Sequence, residues 1–134
     1  LKDSAGKVRL RLLGSDDSIR AYNKAGIARL VLYGSKGIVD VNNSAGKKGV
    51  RLDAKYSSVR AYDSAGKTRI WLNASDGSVR AHDSAGTGRV GLLGSKGVLI
   101  VNDSAGKTRV KLSSEGASGK IFFSSPNTAT FSHP

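Results

Sequence analysis

Cationic side chains recur at fixed intervals along the sequence and are the first candidates for chemistry. One column of arginines and one of lysines share a spacing of twenty residues or its multiples, and a shorter arginine column runs beside them. Evenly spaced cations can neutralise successive phosphates or other acidic groups, so these residues are candidate polyanion contacts. They are Arg9, Arg29, Arg69, Arg89 and Arg109; Lys7, Lys47, Lys67 and Lys107; and Arg20, Arg60 and Arg80.

An acidic column offers a structural reading of the same cations. It comprises Asp3, Asp63, Asp83 and Asp103, with Asn at 23 and 43. Ion pairs between copies of the repeat, or between chains, would offset the repulsion within each ladder and set its register. Single-stranded nucleic-acid binding would interleave aromatics with the cations, and only Tyr22, Tyr62 and His82 do so. Calcium-binding solenoids carry a denser Gly-Asp pattern, so we predict no metal site.

No residue pattern suggests catalysis. The histidines are His82 and His133, and the serines fall in turn-like clusters without a plausible base. Ser84, His82 and Asp83 are adjacent in sequence, which is not triad geometry. There is no cysteine, which excludes a disulfide scaffold, a zinc cluster and a thiol nucleophile. We expect no enzyme activity, cofactor or small-molecule substrate, and the absence of a long apolar run predicts no membrane insertion.

The elements that position these columns come from an internal repeat. An Ala-Gly pair recurs every twenty residues without insertion or deletion, from Ala5-Gly6 to Ala105-Gly106. The six copies also share two apolar positions separated by one residue, the alternation of a strand with one buried face. The predicted core columns are Leu10, Leu12, Leu30, Leu32, Val50, Leu52, Ile70, Leu72, Val90, Leu92, Val110 and Leu112.

A second apolar pair and two kinds of turn complete the unit. The pair is Ile19 and Ala21 in the first copy, and Gly/Ser/Asp clusters such as Gly34–Gly37 lie between the two pairs. These are turn-forming residues, so each copy reads as strand, turn, strand, turn. We predict an all-β chain without helix, a β-solenoid or β-helix of six copies. Because four modest aliphatics per copy make a thin core, an intertwined homotrimer is favoured over a single-chain two-sheet solenoid.

The motif Asp-Ser-Ala-Gly-Lys-Thr-Arg, at 63–69 and 103–109, followed by Leu-x-Gly-Ser-x-Gly-like turns, resembles β-repeats of phage tail fibres and of large bacterial surface or secreted proteins. The resemblance covers residues 1 to about 116. It implies a repetitive shaft that carries another module and leaves the receptor open.

The repeat ends after Leu112, which divides the chain into a shaft at 1–112 and a non-repeat tail at 113–134. The tail holds all three phenylalanines, and its end, Phe131 to Pro134, is similar to the start of a module that follows such repeats. Ile121, Phe122, Phe123 and Phe131 are candidate cap or assembly residues, since terminal repeats need cover. Leu1 falls in mid-repeat and no methionine is present, so we expect a fragment, a processed chain or the ordered part of a longer protein.

The sequence therefore predicts a structural fibre or filament shaft, extracellular, on a cell surface or on a virion, that spaces or displays a tip or polymerises. Its expected partner is itself, as a homotrimer or filament. With a net charge of +12, the alternative is an adhesin module whose basic ladders bind acidic glycan or another polyanion.

Overall fold

The computed structural model describes residues 1–114 and 119–124. They form two compact units, Leu1–Lys67 and Thr68–Pro134. The prediction of an all-β chain is confirmed: twelve antiparallel strands follow one another in chain order. The described residues contain a single 3-10 turn, Gly94–Lys96, and no helix in them is long and apolar enough to span a membrane.

The first unit is an open antiparallel sheet of six short strands. Each described pair joins consecutive strands, as in a meander. The strands are β1 (Leu10–Leu13), β2 (Ser18–Tyr22), β3 (Ala28–Tyr33), β4 (Ile38–Asn42), β5 (Lys48–Asp53) and β6 (Ser58–Tyr62).

The second unit repeats this arrangement. Its described pairs again join neighbours along the chain. The strands are β7 (Thr68–Asn73), β8 (Ser78–His82), β9 (Gly88–Leu93), β10 (Val98–Asn102), β11 (Thr108–Ser113) and β12 (Lys120–Phe123). The last of these lies in the predicted tail, so the sheet continues past the final copy of the repeat.

The antiparallel pairing bears on the predicted solenoid. In a coil, equivalent strands of successive copies stack in parallel, whereas here the two strands of one copy pair with each other and with their neighbours in antiparallel fashion. The solenoid and the intertwined trimer are not confirmed by this arrangement. A twenty-residue unit of two strands and two turns is compatible with either pairing.

Two turn types connect the strands. In the four-residue turn between β1 and β2 and its equivalents, the last turn position has a positive φ, which glycine adopts without strain. Gly37, Gly77 and Gly97 occupy it at φ of 60°, 62° and 57°, while Asp17 and Ser57 hold it at 48° and 46°. The opposite turns, which we call Ala-Gly turns, run from an Asp or Asn to the residue four positions on, as in Asp3–Lys7.

The two faces of each sheet differ in composition. One, which we call the apolar face, carries two rows of aliphatic side chains, such as Leu10 opposite Ala21 and Leu12 opposite Ile19. The other, which we call the mixed face, carries Arg, Asp, Ser, Tyr and scattered apolar residues. Among the described residues the buried aliphatics are Val31 and Val98, and strand alternation places both on the mixed face.

Candidate functional site

The apolar face is the largest candidate interaction surface in both units. In the first unit its rows pair across the strands as Leu30 with Val41 and Leu32 with Val39. In the second unit Val90 pairs with Val101, and the rows continue onto β12, where Ile121 lies opposite Leu112. The twenty-residue period therefore produces an unbroken aliphatic stripe along each sheet.

Most of this stripe is exposed in the single chain. Leu12 is 72% exposed, Leu52 45%, Ile70 47% and Leu92 47%. None of the twelve residues of the predicted core columns is buried, because no second layer covers the face among the described residues. Within each unit the structure places its six members of these columns on the apolar face, and their role as a core stays a prediction that depends on a covering partner.

The predicted cap and assembly residues fall partly on this face. Ile121 and Phe123, opposite Leu112 and Val110, extend the apolar rows and are 52% and 50% exposed. Phe122 lies on the mixed face opposite Lys111, whose ammonium is 6.0 Å from the ring centre. Phe131 lies outside the described residues.

The arginine column beginning at Arg9 is occupied by local contacts. Arg9 lies 2.5 Å from Asp3, Arg89 lies 3.6 Å from Asp83, and the Arg109 Nε donates to Asp103 Oδ2 at 2.8 Å. Each pair joins the first residue of an Ala-Gly turn to the arginine two positions beyond that turn. The ion pairs that the sequence suggested between copies or chains are, in these three cases, local contacts between residues six positions apart.

Where asparagine replaces aspartate, the arginine finds another partner. After Asn23, the Arg29 Nε donates to the Asn42 carbonyl at 2.9 Å. Arg69, which follows an aspartate, Asp63, also donates to a carbonyl, that of His82, at 3.4 Å. Arg29, Arg89 and Arg109 are each the additional residue of a β-bulge. A bulge re-aims its side chain, which explains why these arginines reach the turn. Sequence reasoning missed the bulges, although the constant Asp-to-Arg spacing of six was a usable signal.

The acidic members of the turns are held ionised by the backbone. The Asp103 Oδ1 accepts from the Lys107 and Ala105 amides at 2.9 Å each. These bonds, led by that of Lys107 and supported by Arg109, keep the pKa of Asp103 below its usual range. The Lys7 amide does the same for Asp3 and the Thr87 amide for Asp83.

The lysines of the column that begins at Lys7 stand at the ends of the Ala-Gly turns. They are more exposed than the arginines Arg9, Arg89 and Arg109. Lys7 Nζ approaches the Lys24 carbonyl at 3.5 Å and Lys47 Nζ donates to the Ser64 carbonyl at 3.3 Å. Each thus reaches the next Ala-Gly turn of the first unit. Lys67 and Lys107 are exposed at equivalent positions. Lysines with neutral carbonyl partners keep their charge available to an anion, unlike arginines paired with aspartate.

The third predicted column, Arg20, Arg60 and Arg80, lies on the mixed face, half-buried. Arg20 contacts the carboxylate of Asp16, and its Nε donates to the Ser18 hydroxyl at 3.2 Å. Arg80 lies 5.3 Å from the centre of the Trp71 ring and 3.7 Å from Asp76. The sequence grouped these arginines as equivalent, but their neighbours on the adjacent strands differ.

One mixed-face ion pair was not anticipated from sequence. Arg51 donates from Nε and Nη2 to the two carboxylate oxygens of Asp40, at 2.7 Å each, and Asp40 is 4% exposed. The hydrogen bond to Asp40 is the main cause that raises the pKa of Arg51. No other copy pairs these residue types at these two positions, so the repeat pattern gave no signal for it.

No protein-family model matches the chain, and a search of curated proteins finds no match.

Proposed function

We propose that this protein is a structural shaft, in which copies of the chain associate through their apolar faces. The exposed aliphatic stripe carries the proposal. Monomeric proteins rarely leave large contiguous apolar patches in water, and covering a half-exposed aliphatic side chain contributes about 1 kcal/mol. A stripe of this kind on each sheet favours a partner over solvent.

A second copy of the same chain is the partner that fits. The paired positions of both rows are occupied by aliphatic residues and alanine, so a partner face should also be apolar and uncharged. The repeat presents such a face at the same spacing as the stripe it would cover. Sheets that pack face to face lie about 10 Å apart, a distance that the Leu, Ile and Val side chains of two faces fill.

Three chains are the number we propose. The stripe is only two side chains wide, and three narrow faces can meet around a common axis to give one thin continuous core. This is the homotrimer expected from the sequence, with sheets in place of interwound coils. The location on a cell surface, in the extracellular space or on a virion rests on the resemblance to fibre repeats alone.

Electron microscopy of the purified protein tests this function. We expect slender particles of uniform width, whose mass by light scattering is three times the 14.0 kDa of one chain, or a multiple of that value if the trimers join end to end. Particles of single-chain mass would contradict the proposal.

Polyanion binding is a second candidate function. It is favoured by the exposed lysines at the ends of the Ala-Gly turns. Lys7 and Lys47 bridge successive turns through carbonyl contacts without an acidic partner in those contacts. We expect retention on a heparin column that falls as salt rises, and weaker retention for Lys7→Gln/Lys47→Gln. Failure to bind heparin at low salt would remove this candidate.

A further inference from the structure

A hollow on the mixed face of the second unit has the features of a ligand site. Its volume is about 390 Å³. Its lining includes Arg80 and His82 from β8, Gly91 and Leu93 from β9, and Ile100 and Asn102 from β10. It is separate from the apolar face, so the assembly proposed above leaves it accessible.

The hollow exists because two glycines depart from the repeat. Where Gly91 stands, the other copies carry Arg11, Val31, Arg51, Trp71 and Lys111; where Gly88 stands, they carry Val8, Ala28, Lys48, Thr68 and Thr108. Neither glycine has the positive φ that would require glycine. Glycine inside a strand weakens it and often marks the close approach of a ligand.

Two polar atoms beside the hollow are buried without a partner. Among the described residues, neither the Arg80 Nε nor the His82 Nδ1 has a hydrogen-bond partner. Buried polar atoms of this kind are uncommon in proteins and call for a partner. Each nitrogen can act as a donor to an anion.

The charge of Arg80 is less neutralised than that of its counterpart in the first unit. Arg20 makes a close ion pair with Asp16 and a second bond to Ser18. Arg80 approaches Asp76 only to 3.7 Å, and the Asp76 Oδ1 accepts a hydrogen bond from the Ser78 amide. Across the strand, Arg20 faces Val31 whereas Arg80 faces Gly91, so the residue facing Arg80 has no side chain.

We propose that this hollow binds a small organic anion, of the size and chemistry of an acidic monosaccharide. Its carboxylate or sulfate group accepts hydrogen bonds from Arg80 and His82, and its C–H face packs against Leu93 and Ile100. The volume exceeds that of a bare ion, and the lining combines cationic and apolar side chains. The site does not depend on the shaft function, since the side chains that would hold the anion lie on the mixed face and not on the apolar face.

Nuclear magnetic resonance titration of the full chain tests the site. We expect sodium glucuronate or glucose 6-sulfate to shift the backbone amide signals of Gly88 and Gly91 in a saturable way, while neutral glucose leaves them unchanged. A response to one anion alone identifies the preferred acidic group. Equal shifts with neutral glucose, or none with either anion, would overturn the proposal.

Variants of the residues around the hollow show whether the anion binds there. Arg80→Gln should weaken binding about tenfold or more, because a charge-assisted hydrogen bond is lost. Gly91→Val, with the residue found at position 31, should abolish it by filling the hollow, and its added Cβ meets only the Ile100 side chain, at 3.1 Å and 3.3 Å. Arg20→Gln is the matched control and should bind as the unaltered protein does.

Gly88→Thr is a second variant that fills the hollow, for use if Gly91→Val does not fold. Threonine occurs at the equivalent positions 68 and 108, and a Cβ at Gly88 would meet only the His82 Cδ2, at 4.0 Å. If Arg80→Gln and a folded variant that fills the hollow both bind the anion with unchanged affinity, the anion does not bind in this hollow.

Discussion

The aspartate or asparagine that begins each Ala-Gly turn organises that turn through one side-chain oxygen. The Asn43 Oδ1 accepts from the Ala45 amide at 3.0 Å and the Lys47 amide at 3.1 Å. Asp63 makes the same two bonds, at 2.9 Å each, with Ala65 and Lys67. Since both residue types offer a side-chain oxygen that accepts the same two amides at similar distances, either can begin the turn.

Asn43→Ala should destabilise the first unit. Two backbone donors lose their acceptor, and we expect the free energy of unfolding to fall by about 1 to 2 kcal/mol, measured by chemical denaturation. Ser44→Ala, at the exposed neighbouring position, is the control and should change little. Equal stability of the two variants would show that the side-chain oxygen contributes nothing.

Asp103 should make stability depend on pH on the acid side. Its pKa is lowered from 3.8 in the folded chain, so its contribution is complete above the unfolded value and is lost as the pH falls through the lower folded value. Asp103→Asn keeps the acceptor, as at Asn23 and Asn43, but cannot titrate. We expect the variant to lose less stability than the unaltered protein between pH 5 and pH 2, followed by circular dichroism. Identical pH profiles would contradict this assignment.

The residue contacts show what sequence could and could not predict at this scale. The Asp-Ser-Ala-Gly run identified the turn, because Asn, Asp and Gly favour it for known physical reasons. The direction of Arg89 and Arg109 depended on β-bulges, in which one extra residue changes which way a side chain points. Because the bulge does not change the spacing of the apolar residues, the sequence alone suggests that these arginines form an outward-facing row.

At the scale of the strands, the mixed face is where the copies differ. Asp40 on β4 and Arg51 on β5 are directly opposite each other. The equivalent central pair is Arg20 with Val31 in the preceding copy and Arg80 with Gly91 in a later one. The apolar face keeps the repeat regular, and the mixed face therefore holds the features specific to each strand pair.

Removing one partner of the Asp40–Arg51 pair should cost more than removing both. Arg51→Val leaves a nearly buried carboxylate unpaired, and we expect a loss of about 3 kcal/mol by chemical denaturation. Asp40→Ile/Arg51→Val, with residues borrowed from positions 100 and 31, should recover to within about 1 kcal/mol of the unaltered protein. A double variant as unstable as the single one would contradict this account.

The strands themselves were predictable, but their partners were not. Alternating aliphatics such as Leu30 and Leu32 identify a strand with one apolar face, and the structure contains that strand as β3. The same period of twenty fits both a coil with parallel stacking and a meander with antiparallel hairpins. The choice depends on turn geometry at positions such as Gly26 and Gly37, both at positive φ, which composition alone does not specify.

At the scale of the whole molecule, the proposed function depends on what covers the apolar face. The predicted core residues share one face, as the alternation required, but in the single chain they meet water. The sequence has only four aliphatic residues per copy, which would make a thin core. In the structure the same residues form the exposed stripe. Both support the proposal that further copies of the chain cover this face.

Lysines introduced on the apolar face should prevent that association. Leu52→Lys/Leu92→Lys places one charge on the face of each unit at positions already 45% and 47% exposed, so each chain should still fold while its packing against another is lost. Ser15→Lys/Ser95→Lys adds the same charge at exposed turn positions and serves as the control.

Sedimentation equilibrium of these three proteins over a wide concentration range decides whether the chains associate through the apolar face. We predict three-chain mass for the unaltered protein and the turn control, and the 14.0 kDa mass of one chain for Leu52→Lys/Leu92→Lys. An unaltered protein that sediments as a 14.0 kDa monomer at every concentration, or a face variant that associates as well as the control, would contradict assembly through the apolar face.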